Sequence, residues 1–186
     1  MARTLVAFGL VSVLVTAAWV RLETAGTSGA EVLTVLVLAL LPALAVERRR
    51  GRVTTGVVLA ISSLFAASGA MNVPLGDARA LDPDRDFAGP LVSAIREGFL
   101  DYYDTTLPFN PADFPLMHGL VLLAIFGFTA AGGVLIAARR PVAAAAVLLV
   151  ALGWPATLIP GDRPLAAGAL ALAGVLALLF LLRPGT

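Results

Sequence analysis

The chain has no cysteine and no lysine, and it carries a single histidine, His118. Without cysteine there is no disulfide, no thiol nucleophile and no cysteine–metal site. One histidine is also poor provision for zinc, which usually takes three or four nitrogen or sulfur ligands. Charge is scarce as well. Acids and arginines make up 13% of 186 residues, against roughly 25% in a soluble domain. There is no Gly-x-Ser-x-Gly elbow, no His-Glu-x-x-His and no phosphate-cradling glycine loop. Neither catalysis by this chain, nor a bound metal or cofactor, nor a nucleic-acid partner is expected.

What the chain has instead is apolar length. The apolar fraction is 59% and mean hydropathy is +0.94. Six stretches carry it: 4–20, 30–46, 53–70, 116–138, 142–158 and 165–182. Each is long enough to cross a hydrocarbon core of roughly 30 Å as a helix. The expected fold is therefore all-α, a single membrane domain over residues 1–186 with six transmembrane helices. These spans are expected to carry no charge. Ion-coupled transporters and proton pumps usually hold ionisable groups at mid-membrane, and no such group is found there.

The charges are sorted by side. Glu47-Arg48-Arg49-Arg50-Gly51-Arg52 and Arg139-Arg140 form two basic clusters. With Arg3 and Arg183 they put eight arginines and one acid on one side, leaving five arginines and eleven acids on the other. Short arginine-rich loops stay cytoplasmic. Six spans in a bacterial plasma membrane, with both termini cytoplasmic, satisfy every loop. Thr16-Ala17-Ala18 after the first apolar run could also be read as a signal-peptide cleavage site. Trp19 fits an interfacial aromatic, and a retained helix is the reading adopted.

Small residues at four-residue spacing recur: Ser63 with Ala67, Ala66 with Ala70, Gly127 with Ala131, Ala169 with Ala173. Such pairs let helix backbones approach in lipid. Gly132-Gly133 reads the same way. Pro42 and Pro155 each remove a backbone donor inside a span. Serine and threonine hydroxyls within the spans are expected to bond back to their own helices.

The one long loop, residues 71–115, falls on the acidic side. Asp82-Pro83-Asp84-Arg85-Asp86 looks like a calcium loop but lacks the glycine and distal glutamate of an EF-hand, so it reads as a solvated turn. Further on, Leu91, Ile95, Phe99 and Tyr102 or Tyr103 recur at helical spacing, with Arg96, Glu97, Asp101 and Asp104 opposite them. That predicts an extracytoplasmic amphipathic surface helix over about 90–107, stopped by Pro108. It would lie on the membrane or cap the bundle, and its acidic polar face favours packing on the protein itself. Three prolines and two phenylalanines then fall within 107–115, just before His118. The candidate binding residues are His118, Asp113, Asp104, Tyr102 and Tyr103, as a metal or proton-transfer cluster. The plainer reading makes His118 an interfacial cap on a loop carbonyl or carboxylate.

Several segments carry a resemblance. They are Phe99-Leu100-Asp101-Tyr102-Tyr103-Asp104, Leu107-Pro108-Phe109-Asn110-Pro111, Met117-His118-Gly119, Arg139-Arg140-Pro141 and Gly153-Trp154-Pro155-Ala156-Thr157-Leu158. Together they resemble the N-terminal membrane region of actinobacterial transglutaminase-like membrane proteins, the TgpA-type family. The resemblance implies a multi-span anchor for an extracytoplasmic papain-like domain with a Cys-His-Asp triad, and a role at the cell envelope. This chain departs from it in having no cysteine and no soluble domain, so no catalytic residue carries over. The expectation is a non-catalytic anchoring or organising module, with lipid, a downstream domain or envelope proteins as partners. The alternative is a standalone small-molecule or lipid-handling protein that uses a cavity beneath the surface helix.

Overall fold

The structure is a computed structural model and describes residues 1–24, 27–48, 51–75, 89–159 and 164–183. The Asp82–Asp86 run, Arg49 and Arg50 lie outside the described residues, as does the side chain of Asp104. The described residues form seven helices: α1 (Ala2–Val20), α2 (Gly29–Glu47), α3 (Arg52–Ala70), α4 (Gly89–Asp104), α5 (Pro115–Ala137), α6 (Pro141–Leu158) and α7 (Pro164–Leu182). All but α4 are long and apolar enough to span a membrane. Their bounds agree with the apolar stretches to within two residues. The uncharged-span expectation fails only towards the helix ends, where Arg3, Glu31, Glu47, Arg52 and His118 lie within these helices. Glu31 lies in the first turn of α2, where the positive end of the helix dipole favours an acid.

The bundle is organised around α5, the most buried span. It packs against α1, α2, α3, α4 and α6, while α7 closes on α6 and α1. A helix that is apolar all round must be surrounded by protein or lipid. Here α5 takes protein, with Ile125 and Ile136 fully buried. In α3 and α7, Val53, Phe65, Leu165 and Phe180 point outward, a surface that suits acyl chains and not water.

Close approach at α5 depends on its glycines. A Cβ on Gly133 would come within 2.9 Å of the Phe8 ring and 3.2 Å of the Ala43 methyl, and one on Gly132 within 3.2 Å of Val11. The packing role expected of this pair is what the structure has. Of the four small-residue pairs, Ala66 with Ala70 is buried between helices, whereas Gly127 with Ala131 and Ala169 with Ala173 face outward.

Two helix ends share one device. After α3, Asn72 takes a positive φ of 51°, and the N–H groups of Asn72 and Val73 return to the Gly69 and Ser68 carbonyls. After α5, Arg139 does the same at φ 56°, with the N–H groups of Arg139 and Arg140 returning to Ile136 and Leu135. These are Schellman caps, which satisfy the last carbonyls and reverse the chain sharply. Pro141 then opens α6 at once, as its fixed φ allows.

Trp19, expected at the interface, lies in the last turn of α1. Trp19 is buried against Phe128 and Trp154, with ring centroids 5.7 and 6.3 Å away. Its indole Nε1–H donates to the Ala151 carbonyl at 3.0 Å. That carbonyl is the one Pro155, four residues on, has no N–H to reach. The tryptophan of one span therefore satisfies the acceptor that proline frees in another, as buried backbone in lipid requires. Trp19→Phe is expected to cost about 1–3 kcal/mol by orphaning the carbonyl. In a Pro155→Ala background, which restores an intrahelical donor, the same change should cost less. Thermal unfolding of the four proteins of the cycle in detergent would check this.

Four span hydroxyls behave as expected. Thr34, Ser62, Thr129 and Thr157 bond to carbonyls three or four residues back. Ser68 instead reaches forward to the Val73 carbonyl and so secures the end of α3. Ser12 and Thr16 of α1 are buried with no partner among the described residues, and nothing in the packing explains them.

The helix α4 ends at Asp104, three residues before the sequence-based limit. A residue preceding proline is steered out of the helical region, so Leu107 cannot continue the helix into Pro108, and the chain leaves it earlier. Thr105 caps the last turn through its hydroxyl to the Asp101 carbonyl at 2.6 Å.

Candidate functional site

The site is at the end of the bundle where the acids collect, and it is built on the segment between α4 and α5. Phe109 in that segment is almost fully buried and sits edge-on to Phe114, with centroids 6.5 Å apart. Its N–H donates to the Leu22 carbonyl at 2.9 Å, and its own carbonyl accepts from Thr24 N–H at 2.8 Å and from the Thr24 hydroxyl at 3.2 Å. This short parallel bridge ties the α1–α2 connection to the proline-rich segment. It thereby fixes Glu23 beside the start of α5.

The first turn of α5 opens with Pro115 at its N-terminus, and His118 projects from that turn. His118 Nδ1 lies 2.8 Å from Glu23 Oε1, and Nε2 lies 3.2 Å from Glu31 Oε2. The Glu23 side chain is 0% exposed and that of Glu31 is 53% exposed. One imidazole thus joins a buried carboxylate to an open one. Glu23 Oε2 also accepts from the Thr27 hydroxyl, so both of its oxygens are engaged.

This arrangement is best satisfied with both ring nitrogens donating, because an ionised carboxylate can only accept. A buried carboxylate is tolerated only when paired and hydrogen-bonded. His118 and Thr27 supply both conditions. The net effect is mechanical: α1's exit, α2's first turn and α5's first turn are pinned at one point. At the opposite end, the hydroxyl of Thr4 donates to Glu47 at 3.0 Å, joining α1 to α2 there too.

Of the expected partners of His118, Asp113 and the two tyrosines make other contacts. Asp113 is exposed and accepts from Asn110 Nδ2 at 3.0 Å, closing a turn in which Ala112 N–H also donates to Asn110 Oδ1. Tyr102 and Tyr103 lie edge-on to one another on α4, 5.9 Å apart. Of the five candidates, the structure puts His118 in a carboxylate cluster, but with Glu23 and Glu31 as its partners. The plainer reading, His118 as a cap on a carboxylate, describes the geometry. Sequence reasoning counted Glu23 and Glu31 only among eleven acids of one side. Glu31 at a helix start and the sole histidine at another were the available signals, and neither indicates a pairing.

Among the described residues no group of three or more His, Asp or Glu side chains is arranged to hold a metal ion. A cavity of about 250 Å³ opens at the arginine-rich end, lined by Leu41, Leu44, Ala45, Arg48 and Val58 of the α2–α3 hairpin. It is remote from His118. Comparison with protein-family models, curated proteins and solved structures finds no match.

Proposed function

We propose that this chain is a non-catalytic module that anchors and organises a transglutaminase-like protein of the bacterial cell envelope. In this reading the arginine-rich end and both termini face the cytoplasm, as short arginine-rich loops do. The acidic end then faces outward and presents the proline-rich segment and α4. One observation carries the reading. At the acidic end Glu23, Thr24, Thr27, Glu31, Asn110, Asp113 and His118 are spent on one another and on the backbone. A catalytic or carrier site would hold polar groups poised towards an open space. A platform holds its loops still, and that is what these bonds do.

The transglutaminase-like association rests on the loop and helix-end motifs alone. Any acyl-transfer chemistry would come from outside this chain, which has no cysteine nucleophile. The reading as a small-molecule or lipid-handling protein has less support, since α4 packs closely on α5 at Gly98. A Cβ on Gly98 of α4 would come within 2.8 Å of the Leu116 carbonyl oxygen.

The test is the mass of the native protein in its source membranes, detected with an antibody to the 72–86 segment. A species much heavier than 19.1 kDa is expected if the module carries an envelope domain. A species at 19.1 kDa would remove the transglutaminase-like reading.

A further inference from the structure

The α4 helix has three faces, and packing accounts for only one of them. Leu91, Ala94 and Gly98 turn towards the bundle, where Leu91 and Ala94 form a small core with Met71. Ser93, Glu97 and Asp101 occupy a polar face. Between these lies a third stripe at helical spacing, Val92, Phe99, Leu100 and Tyr103, all exposed, with Tyr103 82% so. Residues 92, 99 and 103 fall within about 40° of one another around the helix, at 3.6 residues per turn. Arg96 lies within this stripe, between Tyr103 and Leu100 around the helix.

Where α4 sits along the spans decides what that stripe meets. Gly98 rests on Leu116 and Leu120 of α5. The core formed by Leu91 and Ala94 reaches Leu123, and it reaches Ala67 on α3. Leu123 is about 10 Å further along α5 than Leu116, at 1.5 Å per residue. The helix therefore leans on the flank of the spans and does not roof their ends. Its N-terminal half lies beside residues that belong to the hydrocarbon layer.

We propose that α4 is seated in the interfacial layer of the bilayer, with the Val92–Phe99–Leu100–Tyr103 stripe against lipid acyl chains and the Glu97–Asp101 face turned to water. The charge pattern selects this occupant. The stripe carries no acid. Arg96, the one charge within it, has a stem long enough to lie over apolar surface and put its guanidinium among the lipid phosphates. Phe and Tyr are suited to the boundary between acyl chains and headgroups, and amphipathic helices bury such faces roughly 5–10 Å into it. Depth on the α5 flank and segregation of charge agree on the same side. The inference concerns lipid contact alone and stands whether or not the anchoring reading holds.

Because the chain has no cysteine, single-cysteine variants of the full chain can be spin-labelled cleanly at positions 92, 99, 103, 97 and 101. In phosphatidylcholine liposomes, labels at 92, 99 and 103 should collide readily with oxygen and poorly with a water-soluble nickel chelate. Labels at 97 and 101 should show the reverse. Equal nickel accessibility at 97, 99 and 103 would overturn the proposal, because the stripe would then face water. Exclusion of both probes from 92, 99 and 103 would overturn it too, because a second copy of the chain would then cover the stripe. Three positions on the stripe keep the test decisive if one variant fails to fold.

Discussion

Replacing His118 with alanine is expected to destabilise the folded protein by about 3–5 kcal/mol, the cost of leaving a buried charge without its partner. The charge left behind is Glu23, whose side chain is shut off from solvent and whose Oε1 is bonded to the imidazole. The Thr27 hydroxyl would still reach Oε2, but a neutral donor does not replace a cation. Glu23→Ala should cost less than His118→Ala, because the histidine that remains keeps Glu31 and some solvent. Glu31→Ala should cost under about 1 kcal/mol, as exposed ion pairs do. The double change Glu23→Ala with His118→Ala should cost clearly less than the two single changes together, since the pair fails as a unit. Unfolding in detergent of the four proteins of the cycle, and of Glu31→Ala beside them, measures each term. Additive costs would mean that the pair does not hold the acidic end together.

The second large effect is expected at Gly119, one residue on. A Cβ there would come within 2.5 Å of the Ala70 carbonyl oxygen and 3.1 Å of its carbon, with Met71 Sδ at 3.0 Å. The obstacle is the backbone of α3, which no rotamer change can move. Gly119→Val must therefore push α3 from α5, at a cost of about 3 kcal/mol, the upper part of the usual range for overpacking. The penalty should extend to α4, because Met71 is the third member of its small core. Gly127 of the same helix supplies the control. It has nothing within 4 Å, so Gly127→Ala should stabilise α5 by about 0.5–1 kcal/mol through helix propensity alone. Opposite signs at two glycines of one helix would separate tertiary contact from propensity.

Much of this architecture is legible in the sequence because it is local. Six runs of apolar residues declare six spans, and Pro115, Pro141 and the paired arginines mark where helices begin and end. Gly132-Gly133 announces close packing because two adjacent glycines in a lipid-crossing helix have few other uses. His118 is visible as the one ionisable ring at a helix start. Its partners are not. Glu23 is 95 residues away in the chain, and no periodicity distinguishes it from the other acids of that side. Its burial arises from a backbone bridge to Phe109, whose pairing depends on how two connections meet in space. The partner of Trp19 is hidden in the sequence for the same reason. The indole's need for an acceptor is local, but the acceptor is set free by Pro155 in a span 132 residues distant from it by hydrogen bond. The period of the surface helix locates it but overruns its end by three residues, because the conformational reach of Pro108 extends back before Leu107. Its third face went unread because an apolar stripe gives the same period whether it meets protein or lipid.

The most direct test of a six-span module with an outward acidic end uses the two ends of α2. Ser28 precedes the helix on the acidic side, and Gly51 lies just beyond it on the arginine side. Both are exposed, and Gly51 has nothing within 4 Å. With no native cysteine, any label comes from the residue introduced. In intact cells a membrane-impermeant maleimide should label Ser28→Cys, and should reach Gly51→Cys only after permeabilisation. Labelling of Gly51→Cys in intact cells would contradict the account, whether or not Ser28→Cys reacted as well.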